Sequence, residues 1–278
     1  MSRRSYTPGQ TRTSGLENPY SVTDGAHRIN ASDARTGVAF CLQRCVSTLA
    51  LCVCLSALAP AARAEFGGSL VATTDYVYRG ISQTRGKPAF QADVHYRTAG
   101  VWTFGAWTST MDEHPGPGAS LELDLYLSRN WALHPDWDAQ ATLTHYAYPD
   151  DDRTARYDYN EITASLIYQS RLAATVAWSP DASRYSYGRL AQDKTAISYE
   201  LSALQPLFHE LSATAGAGYY DLSELNDAGY WFWNAGLSWS AGGAQLAVSY
   251  IDTDEAAIRS FGWEQAGSRW TGTVLWRF

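Results

Sequence analysis

The chain predicts an all-β protein, a transmembrane antiparallel up-and-down β-barrel of about twelve strands with both barrel termini on the periplasmic side. Three observations predict it. Short runs alternating apolar and polar residues recur from Glu65 to Phe278. Aromatic residues gather at the ends of those runs, and the links between runs alternate between short and long.

The alternation is clearest over Ser120 to Ser128. Leu121, Leu123, Leu125 and Leu127 share one face, and Glu122, Asp124, Tyr126 and Ser128 share the other. Phe90, Ala92, Val94 and Tyr96 likewise oppose Gln91, Asp93, His95 and Arg97. The last run sets Trp270, Gly272, Val274, Trp276 and Phe278 against Arg269, Thr271, Thr273, Leu275 and Arg277. The full set of strands predicted this way is 69–79, 89–98, 101–111, 120–131, 138–148, 157–168, 171–180, 195–205, 211–221, 230–240, 244–253 and 268–278. Links after the even-numbered runs are short, such as Ala99-Gly100 and Gln169-Ser170. Those after odd-numbered runs are mostly longer and polar, such as Gly80 to Pro88 and Asp254 to Gly267. Short periplasmic turns and long outer loops are the pattern of a bacterial outer-membrane meander.

Six aromatics fall at the predicted outer ends (Tyr76, Tyr78, Trp107, Tyr148, Tyr219, Trp231). Eight fall at the periplasmic ends (Tyr96, Trp102, Trp131, Trp137, Tyr168, Trp239, Trp276, Phe278). Amphipathic rings suit the two bilayer interfaces, so Tyr76, Tyr78, Trp131, Trp239, Trp276 and Phe278 are expected as membrane-interface residues. A soluble sandwich would bury such rings in its middle instead.

Upstream of the runs lies a secretory leader over residues 42–64. Arg44 supplies the positive charge, Val46 to Ala59 is apolar but for small hydroxyl residues, and Ala62-Arg63-Ala64 is a small-x-small site placing cleavage between Ala64 and Glu65. Residues 1–41 are polar with no apolar periodicity, and read as a disordered extension or a start assigned too far upstream. The barrel is then 65–278. All four cysteines (Cys41, Cys45, Cys52, Cys54) precede it and lack zinc-site spacing.

Of 21 basic and 28 acidic residues, the leader removes seven and three, which leaves 14 against 25 and a net charge of −11. That excludes nucleic acid as a natural partner. With the apolar faces against lipid, the other faces bring Asp75, Arg79, Asp93, Arg97, Glu122, Asp124, Glu161, Glu200, Arg269 and Arg277 to the lumen as pore-lining residues. Six acids against four bases predict a channel for passive diffusion of small polar or cationic solutes. No cofactor is expected, and no metal, since Asp150-Asp151-Asp152 lacks calcium-loop spacing.

Several segments resemble the TorF-type porins, a proteobacterial family of conserved proteins without assigned function. They are Thr74-Asp75-Tyr76-Val77-Tyr78-Arg79-Gly80-Ile81-Ser82-Gln83, Lys87-Pro88-Ala89-Phe90-Gln91, Leu121-Glu122-Leu123-Asp124, Tyr146-Ala147-Tyr148-Pro149, Tyr157-Asp158-Tyr159-Asn160-Glu161, Trp178-Ser179-Pro180-Asp181 and Ser249-Tyr250-Ile251-Asp252-Thr253-Asp254. The resemblance implies an outer-membrane, porin-like protein and names no solute. A C-terminal strand ending in Phe278 is similar to the signal that barrel-assembly machinery reads. Outer-membrane lipid and lipopolysaccharide are the other expected partners, and a monomer is expected.

Two alternatives accompany the channel. One is a structural or surface-interaction barrel, using its acidic, aromatic loops. The other is a lipid-modifying outer-membrane enzyme with a lipid-facing histidine. His145 is the candidate, but Ala147 stands two residues on where a serine would serve, and no nucleophile is in evidence. The expectation is therefore no enzymatic activity.

Overall fold

A computed structural model describes residues 65–98, 101–112, 119–150, 158–186, 189–226 and 228–278, with side chains at 183–192 excepted. The leader, including Ala64 of its cleavage site, and the four cysteines lie outside the described residues.

The chain forms a closed antiparallel barrel of twelve strands. In chain order they are β1 (Glu65–Thr73), β4 (Ala89–Arg97), β5 (Trp102–Thr110), β6 (Leu121–His134), β7 (Trp137–Ala147), β8 (Tyr159–Tyr168), β9 (Leu172–Ser186), β10 (Arg189–Pro206), β11 (Leu211–Asp221), β12 (Tyr230–Ala241), β13 (Ala244–Thr253) and β14 (Arg269–Arg277). Two further strands of two residues each, β2 (Val77–Tyr78) and β3 (Ile81–Ser82), pair only with one another. Each wall strand pairs with its sequence neighbours. The seam joins β1 to β14 from Ser69↔Arg277 to Thr73↔Thr273, and Gly68 and Phe278 exchange backbone hydrogen bonds of 3.1 and 3.0 Å. No edge is left unpaired, as a lipid environment requires.

Burial is inverted relative to a soluble sheet protein. Outward-facing apolar side chains are exposed, Phe66 at 81%, Leu201 at 65% and Val94 at 59%. Inward-facing positions on the same strands carry Ser, Thr, Gln, Asp and Glu, with Asp124, Ser109 and Ser198 at 0%. Placing the apolar face in lipid removes that surface from water and leaves the polar residues to the interior. No helix among the described residues is long and apolar enough to cross a membrane.

Both barrel termini lie at the short-turn end, where links run to a few residues. Gln169 and Ser170, both at positive φ (48° and 53°), make one of these tight hairpins. The opposite end carries the long links. One holds a single-turn helix, α1 (Ser223–Asn226), and another holds α2 (Glu255–Phe261) and α3 (Trp263–Ala266). Asp254 caps α2 by accepting from the Ala257 N–H at 3.0 Å.

The largest departures from the expected strand boundaries fall in two places. The seventh and eighth wall strands, β9 and β10, run past 180 and begin before 195, and pair out to Ser186↔Arg189 through a register irregularity at Lys194. The first strand ends at Thr73 rather than 79. At Thr74 the chain leaves the wall and turns into the barrel.

Candidate functional site

The segment between β1 and β4 enters the lumen as the β2–β3 hairpin. Its base is stapled by Asp75. One carboxylate oxygen accepts from the Ser82 and Thr84 hydroxyls at 2.5 and 2.7 Å, the other from Arg269 Nη1 of β14 at 2.7 Å. The Thr84 hydroxyl also accepts from the Tyr76 N–H at 3.0 Å. Short polar side chains bonding nearby backbone favour such turns over ladder continuation.

The hairpin tip is a two-residue turn with Arg79 and Gly80 both at positive φ (47° and 81°). This handedness suits a tight hairpin and normally selects Asn, Asp or Gly. An arginine there bears a conformational penalty, so its side chain must be well used. Arg79 Nη1 and Nη2 donate to the two oxygens of Glu161 on β8 at 2.8 and 3.0 Å, and Nε donates to Glu200 on β10 at 2.9 Å. The rings of Tyr78 and Tyr220 each lie 4.7 Å from the guanidinium carbon. All three nitrogens thus have anionic acceptors, and the cation has two aromatic neighbours. The Arg79 carbonyl accepts from the Tyr230 hydroxyl at 3.0 Å. A Cβ at Gly80 would come within 2.6 Å of Thr253 and 2.7 Å of Phe232, so the tip is seated hard against β12 and β13.

The remaining contacts ring the barrel. Tyr76 packs on Trp107 of β5 with centroids 5.5 Å apart, and the Tyr78 hydroxyl lies 3.4 Å from that of Tyr146 on β7. Ile81 joins a buried apolar cluster with Ala182, Ala196, Leu222, Tyr230, Phe232, Ala257 and Ala266, which brings α2 and α3 down onto the hairpin. Arg85 pairs with Glu264, and Lys87 with Asp112. The hairpin therefore bridges the long-loop half of the lumen.

Beside it lies an acidic wall. Glu122 accepts from the Tyr148 hydroxyl at 3.4 Å, and Glu161 accepts from Ser179 at 3.1 Å and from Tyr146 and Thr163 at 3.4 Å. Both oxygens of Asp124 lack a hydrogen-bond partner among the described residues. No group of three or more His, Cys, Asp or Glu among the described residues is placed to hold a metal ion.

Nearer the short turns the inner wall is mixed, with Thr103, Ser128, Gln140, Ser238 and Gln245 buried and other positions partly exposed. Asp93 contacts His95 Nδ1 at 2.6 Å and accepts from Tyr126 at 2.7 Å, and Arg277 donates to Gln245 at 2.7 Å. Asp93, His95, Arg97, Tyr126, Ser202, Thr214 and Asn234 all keep partial exposure.

The ten residues assigned to the lumen all face the interior, in two groups. Asp75, Arg79, Glu122, Asp124, Glu161, Glu200 and Arg269 meet around the hairpin. Asp93, Arg97 and Arg277 lie toward the short turns. Asp75 and Arg79 reach the interior from the hairpin and not from a wall strand. Trp131, Trp239, Trp276 and Phe278 lie outward at the short-turn end, exposed by 37 to 66%. Tyr76 and Tyr78 require correction. Tyr76 is 5% exposed against Trp107, and Tyr78 packs on Tyr146, so neither is at a membrane interface. The physical reason is volume, because a hairpin crossing a barrel needs large side chains to fill the gaps around it. Trp107 and Tyr148 are drawn inward with them.

Sequence reasoning missed Tyr220, Tyr230, Ser179 and Gly80 as parts of this site. The Arg79-Gly80 dipeptide was the available signal for the turn. His145 faces outward, and its Nδ1 contacts Asn160 Oδ1 at 3.0 Å rather than a hydroxyl. Of the acidic triplet, Asp150 accepts from the hydroxyl and N–H of Ser120 and the N–H of Leu121, while its two neighbours lie outside the described residues. Its partial burial raises the Asp150 pKa, but these hydrogen bonds outweigh that and hold it below the ordinary range.

A family model described as a bacterial protein of unknown function (Gcw_chp) matches residues 57–274. No curated protein matches the chain. Among solved structures, a chain from work on the in-meso crystallisation of membrane proteins is 8% identical with a TM-score of 0.50, over 77% of this chain and 83% of that one. The NanC porin is 8% identical (TM-score 0.48, 76% of this chain and 98% of that one), and the KdgM porin is 7% identical (0.47, 76% and 99%).

Proposed function

The chain belongs to the Gcw_chp family of bacterial proteins, and from that premise we propose that it is a porin-like outer-membrane channel for passive diffusion of small polar or cationic solutes. The observation that carries this reading is the charged, hydroxyl-rich lumen inside a closed barrel with an apolar exterior. A barrel serving only as a wall has no need to line its interior with carboxylates, which are costly to bury. The long-loop end faces the outside and the short turns face the periplasm. The hairpin forms the constriction, with the acidic wall beside it setting cation preference. The barrel works as a monomer, held by membrane lipid and lipopolysaccharide and inserted by barrel-assembly machinery.

The test is a planar-bilayer and liposome-swelling series on refolded protein. Step conductances favouring potassium over chloride are expected. Silent bilayers, or preference for chloride, overturn the reading.

A second reading has its own support in the filled outer half of the lumen, which suits a closed barrel with a surface-interaction role. It predicts that deleting 76–86 leaves conductance at zero. The channel reading predicts a rise.

A further inference from the structure

We propose that the inner wall carries a binding site for guanidinium-bearing solutes, built from Glu161, Glu200, Tyr220 and Ser179, and that Arg79 is a tethered occupant which such a solute displaces. This rests on the channel reading and names the class of solute the constriction recognises.

The site belongs to the wall and not to the hairpin. Glu161, Ser179, Glu200 and Tyr220 stand on the neighbouring strands β8, β9, β10 and β11, with their side chains directed inward. Wall hydroxyls already orient the two carboxylates. Ser179, Tyr146 and Thr163 donate to Glu161, and Ser198 donates to Glu200 at 2.8 Å. None of those donors leaves if the hairpin does. The carboxylates would keep their directions, with two negative charges facing a space that had held one cation. A buried charge without a partner is strongly disfavoured, so the vacated wall demands a replacement.

The shape of the vacancy selects the replacement. Glu161 takes two parallel hydrogen bonds of 2.8 and 3.0 Å from one planar group, and Glu200 takes a third in nearly the same range at 2.9 Å. A guanidinium fork satisfies this arrangement, whereas an ammonium is a point charge with no matching fork. The Tyr220 ring, 4.7 Å from the cation centre, adds a surface suited to a flat, weakly hydrated cation. The hairpin's second tie, Asp75 to Arg269, is independent of Arg79. Exchange at the tip can thus proceed while the base stays fastened.

The experiment uses full-length refolded protein carrying Arg79→Ala, with methylguanidinium as the probe and methylammonium as control. Isothermal titration is expected to show methylguanidinium binding about tenfold tighter than methylammonium, and about tenfold tighter than to the Arg79→Ala, Glu161→Gln double variant. If Arg79→Ala does not refold, Arg79→Lys keeps the charge without the fork and is expected to give the same ranking. In wild-type bilayers methylguanidinium is expected to raise potassium conductance as it displaces the tip. Equal binding of the two cations, or no loss with Glu161→Gln, overturns the site. Selective binding by a protein that never conducts overturns the channel reading and leaves the site standing.

Discussion

In the long-loop half of the barrel the inner wall is covered: Glu122, Asp124, Glu161 and Tyr146 lie under the hairpin, each exposed by 4% or less. In the short-turn half the same strands leave Asp93, His95, Arg97, Tyr126 and Asn234 partly exposed. The outer half fills its section with a folded element; there Glu161 and Glu200 share the Arg79 cation, while both oxygens of Asp124 lack a hydrogen-bond partner among the described residues. In the inner half Asp93 and His95 keep partial exposure, while Nε and Nη2 of Arg97 lie buried without a hydrogen-bond partner among the described residues. One repeating wall therefore supports both a section filled by the hairpin and a section lined by its own side chains, and what divides them is a single inserted segment. The aromatics follow the same division. The eight at the short-turn end lie outward, whereas Tyr76, Tyr78, Trp107 and Tyr148 at the other end turn in to pack the hairpin.

The sharpest way to break this contrast is to remove one acid from each half. Glu161→Ala strips Arg79 of its bidentate partner in a dry setting. A loss of about 3 kcal/mol is expected, toward the low end for a broken buried pair because Glu200 still faces Arg79. Asp93→Ala leaves His95 and Tyr126 able to reach water, and a loss of about 1 kcal/mol or less is expected. Urea midpoints in detergent or lipid measure both. Equal losses would erase the distinction between the halves.

Alanine at glycine sharpens it next. Gly80→Ala sets a Cβ at φ +81° against Thr253 and Phe232. About 2 kcal/mol of destabilisation is expected, together with higher conductance as the tip backs out. Gly105→Ala sets a Cβ against the partly exposed Tyr126 ring, far from the hairpin, so about 1 kcal/mol and an unchanged conductance are expected.

The smallest effect lies outside the lumen. Asp150 clasps Ser120 and Leu121 across a loop at the barrel rim, and its pKa is held below the usual value. A depressed folded-state pKa stabilises above the unfolded value and is lost as pH falls through the folded one. Exposure screens the clasp, so the expected change is local. Amide protection at 120–121, taken relative to the intrinsic exchange rate at each pH, should fall on acidification below the ordinary Asp range, and Asp150→Asn should flatten that response.

Most of the wall was legible in the residues, because a strand half in lipid must alternate, and alternation survives in any register. Glu161 and Glu200 were placed inward by that rule alone. The first strand was misjudged by the same rule. Asp75, Val77 and Arg79 alternate with Tyr76 and Tyr78 as well in a lumenal hairpin as in a wall, since both are extended chain. Period two carries no information about which pairing partner the chain meets. The facing ends of β9 and β10 were missed for another reason. Residues 181–194 are mostly polar, so no apolar alternation marks the extension. The Arg79 site was invisible as a site because its members are drawn from positions 79, 161, 179, 200 and 220 and converge only through barrel closure.

That distance along the chain carries a consequence for biogenesis. Arg79 waits for partners 82 and 121 residues downstream, and Asp75 for one 194 residues downstream. Contacts of such separation form late, after intervening chain has been ordered. The seam between the first and last strands joins residues still farther apart, 208 at Ser69↔Arg277, so by the same measure the tip of the hairpin engages Glu161 and Glu200 before the wall closes. A nascent barrel would then be narrowed from within before it is sealed to lipid.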